Sequence, residues 1–567
     1  MPLRLAHRLC SVVSRAPLAA LALFAAGPTF AGPAAESELW REYIRSPDTH
    51  RWIPNCSYAG YQYGEKPLPR IEGPVFDVKA YGAVGDGSAD DTAAVRAAIA
   101  AAGEAGGGVV LFPDGRYAVA GVLFVHSDRT VLRGQSRDGA RIVFTQPLNR
   151  GHGRLDVGTP KGETITRWSY SGGLVWFSPL ARGNTYRDAA PDSPLRPGEF
   201  AESWLTAGEV GSVAMVGERG DRSLTLDREP DLAPGDFVLL RQTDPGDYSL
   251  MKHLSGDGPW AEAYPWTNGK RGSAWPKPGP LQWVVEVESV QGRSVTFRQP
   301  LRFEVRPQWK PTLLKVGPLL RESGIEDLTL EFQRRVTWNE ANDHHHEEAW
   351  NGPYFNNAVH CWLRNVTMID VDNGPNLSAA KNITLTDFSL KASRPELMVH
   401  HHGTLTRASS HDNLFTDFRI ESQPWHGANI ESLSTGNVWR RGVLAHGTFD
   451  SHRRLPFENI RTDITLVTND GTHGGNGGPL MGARFAHWNM RTPNGRNYIV
   501  GWANALPQGV IVGLQGSSPR WDAQADRLPV GELSGCRIES LDTTPNPPDL
   551  YAAQLALRLG ATAPASP

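Results

Sequence analysis

The sequence predicts an all-β solenoid of stacked coils, and three observations carry that expectation. Asparagine-led strand units recur through the second half of the chain. Near its start, one capped helix lies between two short strands. Turn-forming residues abound while charge is sparse: 59 glycines and 43 prolines stand against a charged fraction of 21%, which fits many short strands joined by tight turns. A chain of 567 residues suits this architecture, because a solenoid grows by adding coils rather than by splitting into separate cores.

The capped helix comes first. Phe76-Asp77-Val78 alternates as a short strand does and breaks at Gly82, Gly85 and Gly87. Asp90 or Asp91 precedes an alanine-rich run in which Val95, Ala98, Ile99 and Ala102 recur at helical spacing. An acidic residue there accepts the unpaired N–H groups of the first turn. Gly106-Gly107-Gly108 ends the helix, and Val109-Val110-Leu111-Phe112-Pro113 reads as a buried strand. This series, FDVKAYGAVGDG followed by DDT and GGGVVLFPDGRY, resembles the opening of the pectate-lyase-like superfamily. The resemblance implies a single-stranded right-handed parallel β-helix whose helix caps the open end, where strand edges and apolar core would otherwise meet water. The start of a βαβ unit in a doubly wound fold is the weaker reading, because strands and helices do not go on alternating downstream.

Residues 1–31 read as a secretory signal, with Arg4, Arg8 and Arg15 before an apolar run and small residues at Thr29 and Ala31. The expectation is a secreted or periplasmic protein. The apolar run is too short to span a bilayer. Cys10 lies in the signal, so Cys56, Cys361 and Cys536 remain, too few for a disulfide framework. A net charge of −3 and the lack of a basic stripe argue against nucleic acid and membrane surfaces as partners.

Six segments follow from composition. The signal is succeeded by an arm over residues 32–74, rich in Trp, Tyr and Pro, and by cap and first coils over 75–198. Residues 199–312 form a β-rich insertion with a long loop bearing Trp260, Trp266 and Trp275. The main coils occupy 313–495, where Asn365, Asn382, Asn413, Asn437, Asn459 and Asn489 open strand units at intervals of 17 to 31 residues. Asn382, Asn413, Asn437 and Asn459 are expected at equivalent buried corners, bonded into a ladder. The pattern fades after Asn494, which predicts a C-terminal cap over 496–567.

Ionisable residues crowd between Asp370 and Arg454. In a strand, alternate residues share a face, so Asp450 and His452 point together and Arg453 away. If coils stack in register, His402, His426 and His452 rise along one outer face at steps of ~4.8 Å. The predicted catalytic set is therefore His402, His426, Asp450, His452 and Arg453, with Arg453 brought in by a bend at Leu455-Pro456. Substrate contacts are assigned to Arg454 and to the flat faces of Trp425, Trp488 and Trp266.

A β-eliminating lyase needs such parts: a base of near-neutral pKa, a cation for the uronate carboxylate and a proton for the leaving oxygen. A hydrolase needs two carboxyl groups, for which Asp370 and Asp372 are candidates, with Asp450, Glu421 and Glu431 behind them. The polygalacturonase-like branch of the superfamily carries Asn-Thr-Asp, Asp-Asp, Gly-His-Gly and Arg-Ile-Lys motifs, and none is intact in the repeat region here. The sequence Asp343-His344-His345-His346-Glu347-Glu348 reads as a solvated loop, and no HExxH or CxxC spacing occurs. No cofactor or metal ligand is assigned, with calcium left open. The expectation is an exported enzyme that cleaves an acidic polysaccharide, lyase ahead of hydrolase. A non-catalytic carbohydrate-binding or adhesive solenoid is the reading from a different class.

Overall fold

The computed structural model describes residues 35–158, 164–180, 202–267, 274–338, 347–470, 477–496, 498–499, 506–520 and 535–561. The signal reading over 1–31 and residues 343–346 of the acidic loop lie outside the described residues. The chain is a single-stranded parallel β-helix. Successive coils contribute parallel strands to two long sheets. The longer one passes through Val75–Asp77, Gly108–Phe112, Thr130–Gly134, Gly324–Phe332, Trp362–Ile369, Thr384–Lys391, Leu414–Thr416, Val438–Leu444, Ile460–Leu466 and Ala486–Arg491. The other stacks Leu123–Val125, Val175–Phe177, Pro353–Val359, Asn376–Lys381, Val399–Arg407, Gln423–Ile430 and Phe449–Ser451. Because each coil repeats the last, like side chains stack inside: Phe177 on Phe355 with ring centres 4.7 Å apart, Phe415 on Trp439 at 5.0 Å.

The helix Thr92–Glu104 buries Val95, Ala98, Ile99 and Ala102 into the first coils' core. Asp90 accepts the Thr92 N–H at 3.0 Å, whereas Asp91 turns back to receive those of Val84 and Gly85 at 2.7 and 3.2 Å. One aspartate thus opens the helix and the other ties the glycine loop to it. The arm lies along the flank, where Leu39, Tyr43, Ile53 and Cys56 share a core with Val438, Ile460 and Trp488. The chain's end differs from expectation. Coils continue through Val510–Val512 and Arg537–Glu539, and the helix Leu550–Arg558 packs on the same flank as the arm. Among the described residues no helix is long and apolar enough to cross a membrane.

The insertion is an antiparallel sheet ordered Thr206–Ser212, Thr312–Val316, Phe237–Gln242, Leu281–Gln291, Ser294–Phe297 and Ser223–Thr225. It therefore runs past the expected boundary at 312, because the apolar strand Thr312–Val316 reads in sequence like a coil strand. The tryptophan-bearing loop folds into helices Ser249–Leu254 and Pro259–Ala263.

The asparagine ladder holds at three of the four expected positions. Asn413 Nδ2 donates to Asn437 Oδ1 at 2.9 Å, and Asn437 Nδ2 to Asn459 Oδ1 at 3.1 Å, all three side chains being fully buried. Asn382 sits one residue early. It shares the left-handed backbone position of Asp412, Gly436 and Glu458 (φ 54°, 54°, 74° and 50°), and Ile383 stands in the ladder's place. Asn365 and Asn489 belong to a third position, a left-handed bend shared with Asp327, Asp387, Asp417 and Asp463. Asn and Asp tolerate that conformation better than other residues with a Cβ. Two physical demands thus select asparagine, and the spacing alone merges them.

A buried charge network fastens the insertion to the coils. Lys381 and Arg302 both donate to Asp412, and Arg302, Arg219 and Arg484 reach Glu458 at 3.3, 3.3 and 2.6 Å. Burial alone would raise the Asp412 carboxyl, but Lys381 and Arg302 outweigh it and hold its pKa at about 2. Asp412→Asn leaves both cations without their shared counter-charge and is expected to cost about 3–5 kcal/mol, read as a lower urea midpoint at neutral pH. With its folded pKa lowered, Asp412 contributes fully above the ordinary carboxylate range near ~4. The gap between parent and variant is therefore expected to narrow as pH falls through that range toward 2. Equal midpoints at neutral pH would contradict this account.

Candidate active site

Four successive coils place a polar residue followed by glycine at one corner: Asn351-Gly352, Asn373-Gly374, His402-Gly403 and His426-Gly427. Backbone bridges put Asn351 beside Asn373, Asn373 beside His402 and His402 beside His426. Glycine is required by close approach. A Cβ on Gly374 would lie 1.9 Å from the Gly403 carbonyl oxygen, and one on Gly427 1.7 Å from that of Thr448. The corner thus draws the coils together just where the polar column rises.

Hydrogen bonds run along that column. Asn373 Nδ2 donates to Asn351 Oδ1 at 2.7 Å, and Asn373 Oδ1 faces His402 Nδ1 at 2.6 Å. The His402 ring stacks on His426 with centres 5.0 Å apart, and His426 meets His452 edge-on at 4.8 Å. Asp450, fully buried on the strand Phe449–Ser451, sets Oδ2 at 2.7 Å from His426 Nδ1 and 2.9 Å from His452 Nδ1. Asn429 Nδ2 donates to the same oxygen at 3.0 Å. A carboxylate only accepts, so both imidazoles carry hydrogen at Nδ1, and in the neutral ring the lone pair is at Nε2.

His401 joins the cluster although it neighbours His402 in sequence, their ring centres being 3.9 Å apart. Both backbone N–H groups donate to the Asp372 carbonyl, at 3.0 and 3.2 Å. Two consecutive donors on one acceptor break the pleat as a β-bulge does, so side chains that a regular strand would separate share one face. His401 Nδ1 lies 3.1 Å from Glu347 Oε2, and its ring stacks on Trp338.

Burial would raise Asp450, but His452 and His426 outweigh it and hold the carboxyl well below its usual range. Burial lowers His401, His402 and His452, with Asp450 opposing that shift most directly at His452. Glu347 and Asp372 lie beneath the imidazoles, and burial pushes them up to about 8 and about 7. Burial likewise lifts Tyr170 to about 12, so it keeps its proton at neutral pH.

Of the predicted catalytic residues, the fold brings His402, His426, Asp450 and His452 together. Arg453 borders the cluster but is engaged by another partner: its Nε donates to Glu431 at 2.8 Å, and Glu431 also meets Arg407 at 3.0 Å. The expected bend exists, with Arg454 and Leu455 at φ 56° and 55°, and leaves Arg454 exposed. Trp425 is half-buried beside the cluster, 5.6 Å from Trp338. Two assignments are corrected. Trp488 is fully buried on the opposite flank, where its Nε1 donates to Pro547, and Trp266 packs in the insertion's own core against Tyr248 and Tyr264. Neither presents a face to a substrate.

Sequence reading missed Asn373, Asn429, Glu347, Trp338 and Tyr170. The Asn373-Gly374 pair resembles the His-Gly pairs in form, and that shared pattern is the signal that would have found it. Tyr170 precedes the insertion by sequence yet stands 6.2 Å from the His401 ring and 6.0 Å from the Arg453 guanidinium. No local pattern announces it.

Residues 75–157 match the family model described as rhamnogalacturonase A/epimerase, pectate lyase-like, which bears out, over that stretch, the resemblance read from the sequence. It is similar to mannuronan C5-epimerase AlgE3 of Azotobacter vinelandii, 61% identical over 46 residues, or 8% of this chain and 2% of that protein. It is also similar to alginate lyase 7 of the same organism, 56% identical over 92 residues, or 16% of this chain and 9% of that one. The chain thus spans a small fraction of these relatives' length. Among solved structures, the Pseudomonas phage phi297 tailspike gp61 aligns over 83% of this chain and 75% of its own, with 13% identity and a TM-score of 0.36.

The glycine corner yields a direct check. Gly427→Ala is expected to destabilise by about 3 kcal/mol or more, since backbone rather than a movable side chain blocks the new methyl. Gly279→Ala, with nothing within 4 Å, is expected to stay within about 0.5 kcal/mol of the parent. Equal thermal unfolding of the two variants would show that the coils are not held this closely.

Proposed function

We propose that the chain acts on a uronate-containing polysaccharide by removing the proton at C5, the ring carbon that bears the carboxylate, and that β-elimination follows. One observation carries this reading: a single buried carboxylate, Asp450, orients two imidazoles, and the outer one, His452, is the more open, its side chain 18% exposed against 10% for His426. His452 Nε2 takes the C5 proton, and Asp450 fixes its tautomer and favours the imidazolium that forms. The C5–H electron pair becomes a C4–C5 double bond as the C4–O bond breaks. Tyr170, still protonated, supplies the proton to the leaving oxygen, and both groups reset by exchange with water. Removal of the C5 proton is also the first step of epimerisation at that carbon, so relatives named for either outcome agree with the reading. The export signal read over residues 1–31 suits a polymer met outside the cytoplasm.

The hydrolase alternative loses its leading candidates. Asp370 accepts from the Ser393 N–H at 2.8 Å and from its hydroxyl at 2.5 Å, whereas Asp372 accepts from the Trp350 N–H at 2.9 Å and faces Arg334. They are held by different partners rather than across one cleft.

The test is incubation with a panel of uronate polysaccharides, reading the ultraviolet absorbance of unsaturated uronides together with new reducing ends. Both signals are expected, and His452→Ala is expected to lower the rate about 10²–10⁴-fold with unchanged thermal unfolding. Reducing ends without absorbance would favour hydrolysis, tight binding without either signal would favour the adhesive reading, and an undiminished His452→Ala rate would remove His452 as the base.

A further inference from the structure

We propose that His401, His402 and His426 hold a divalent transition-metal ion of the zinc class. One ligand atom from each of the three lies within 4.8 Å of the other two, in a site where all three residues are buried. Each ring also has its Nδ1 against an oxygen: His401 against Glu347 at 3.1 Å, His402 against Asn373 at 2.6 Å and His426 against Asp450 at 2.7 Å. That is the outer shell of a metal-binding imidazole, in which an oxygen takes the Nδ1 hydrogen and leaves Nε2 as the ligand. Tetrahedral nitrogens at ~2.0–2.1 Å from zinc stand ~3.3 Å apart, so the rings need only close inward by small side-chain rotations. Ring centres spaced at 3.9, 5.0 and 5.4 Å set the three imidazoles side by side. Imidazole nitrogens favour zinc-like ions over calcium, which takes oxygen ligands. Three protein ligands leave a fourth position open, as in zinc sites that bind a substrate or water.

A second trio, His426, Asp450 and His452, also lies within 4.8 Å. There, however, Asp450 Oδ2 already receives Asn429 and stands against both imidazole Nδ1 atoms. Asp450 therefore serves as the outer acceptor, and His452 remains the base. The role of the ion rests on the proposed C5 chemistry. Proton removal beside a carboxylate requires its charge to be neutralised, and Arg334, Arg407 and Arg453 around the cluster each already face a carboxylate. The open position of the ion is where the substrate carboxylate would bind.

The experiment uses the full chain, stripped with chelator and titrated separately with Zn²⁺, Co²⁺ and Ca²⁺ by calorimetry. One equivalent of Zn²⁺ is expected to bind and raise the thermal midpoint, and Co²⁺ to give the visible spectrum of a tetrahedral nitrogen site. His402→Ala is expected to abolish both. Asn373→Ala, which removes an outer acceptor, is expected to weaken Zn²⁺ about 10–100-fold. His452→Ala is expected to bind Zn²⁺ as the parent does while losing turnover, so Zn²⁺ binding with an undiminished rate in that variant leaves the metal site standing while the base assignment falls. Turnover by the stripped chain without Zn²⁺ uptake would overturn the metal site and spare the base. Zn²⁺ binding undiminished in both His402→Ala and a folded His401→Gln variant would also overturn it, as would uptake of Ca²⁺ alone.

Discussion

The fixed rise between coils is the constraint on which the site depends. Backbone hydrogen bonding sets it at ~4.8 Å, and the corner glycines allow no more room, since a methyl on Gly374 or Gly427 would strike a carbonyl of the next coil. Within that spacing, a residue repeated at one position becomes a neighbour of its counterpart. Asparagine, asparagine, histidine and histidine therefore form a bonded and stacked column rather than four surface side chains. The same spacing lets one carboxylate, Asp450, reach the imidazoles of two different coil positions.

A column built this way is a polar thread through a buried region, held by hydrogen bonds towards its two ends and by the His402–His426 ring stack between them. Asn351 accepts from Asn373, Asn373 faces His402, and Asp450 takes His426, His452 and Asn429 together. The stiffness that results suits the proposed proton transfer, since His452 needs no reorganisation to find its tautomer. The buried network around Asp412 and Glu458 plays the corresponding part on the insertion side, fixing the antiparallel sheet against the coils.

Much of this was legible in the sequence where one periodicity acted alone. Strand alternation places Asp450 with His452, and coil repetition places His402 with His426. The helical spacing of Val95, Ala98, Ile99 and Ala102 identifies the cap's buried face. Legibility failed where two causes select the same residue. Asparagine serves both the amide ladder and left-handed bends, so Asn382, Asn365 and Asn489 were merged with Asn413, Asn437 and Asn459. Tryptophan serves both cores and sugar platforms, so Trp488 and Trp266 were misplaced. It failed also where contact is set by three-dimensional closure alone, as for Tyr170 and Glu347, and where a bulge overrides alternation, as at His401.

The central claim is that the bond broken beside the uronate is cleaved by elimination and not by water. Mass spectrometry of the fragments from a uronate polysaccharide tests it most directly, with the digestion run in ¹⁸O-labelled water. Elimination adds no water, so the account predicts fragments whose masses sum to the parent polymer, each new non-reducing end carrying a double bond in place of its C5 hydrogen. Saturated ends with one molecule of labelled water added for every cut would contradict it.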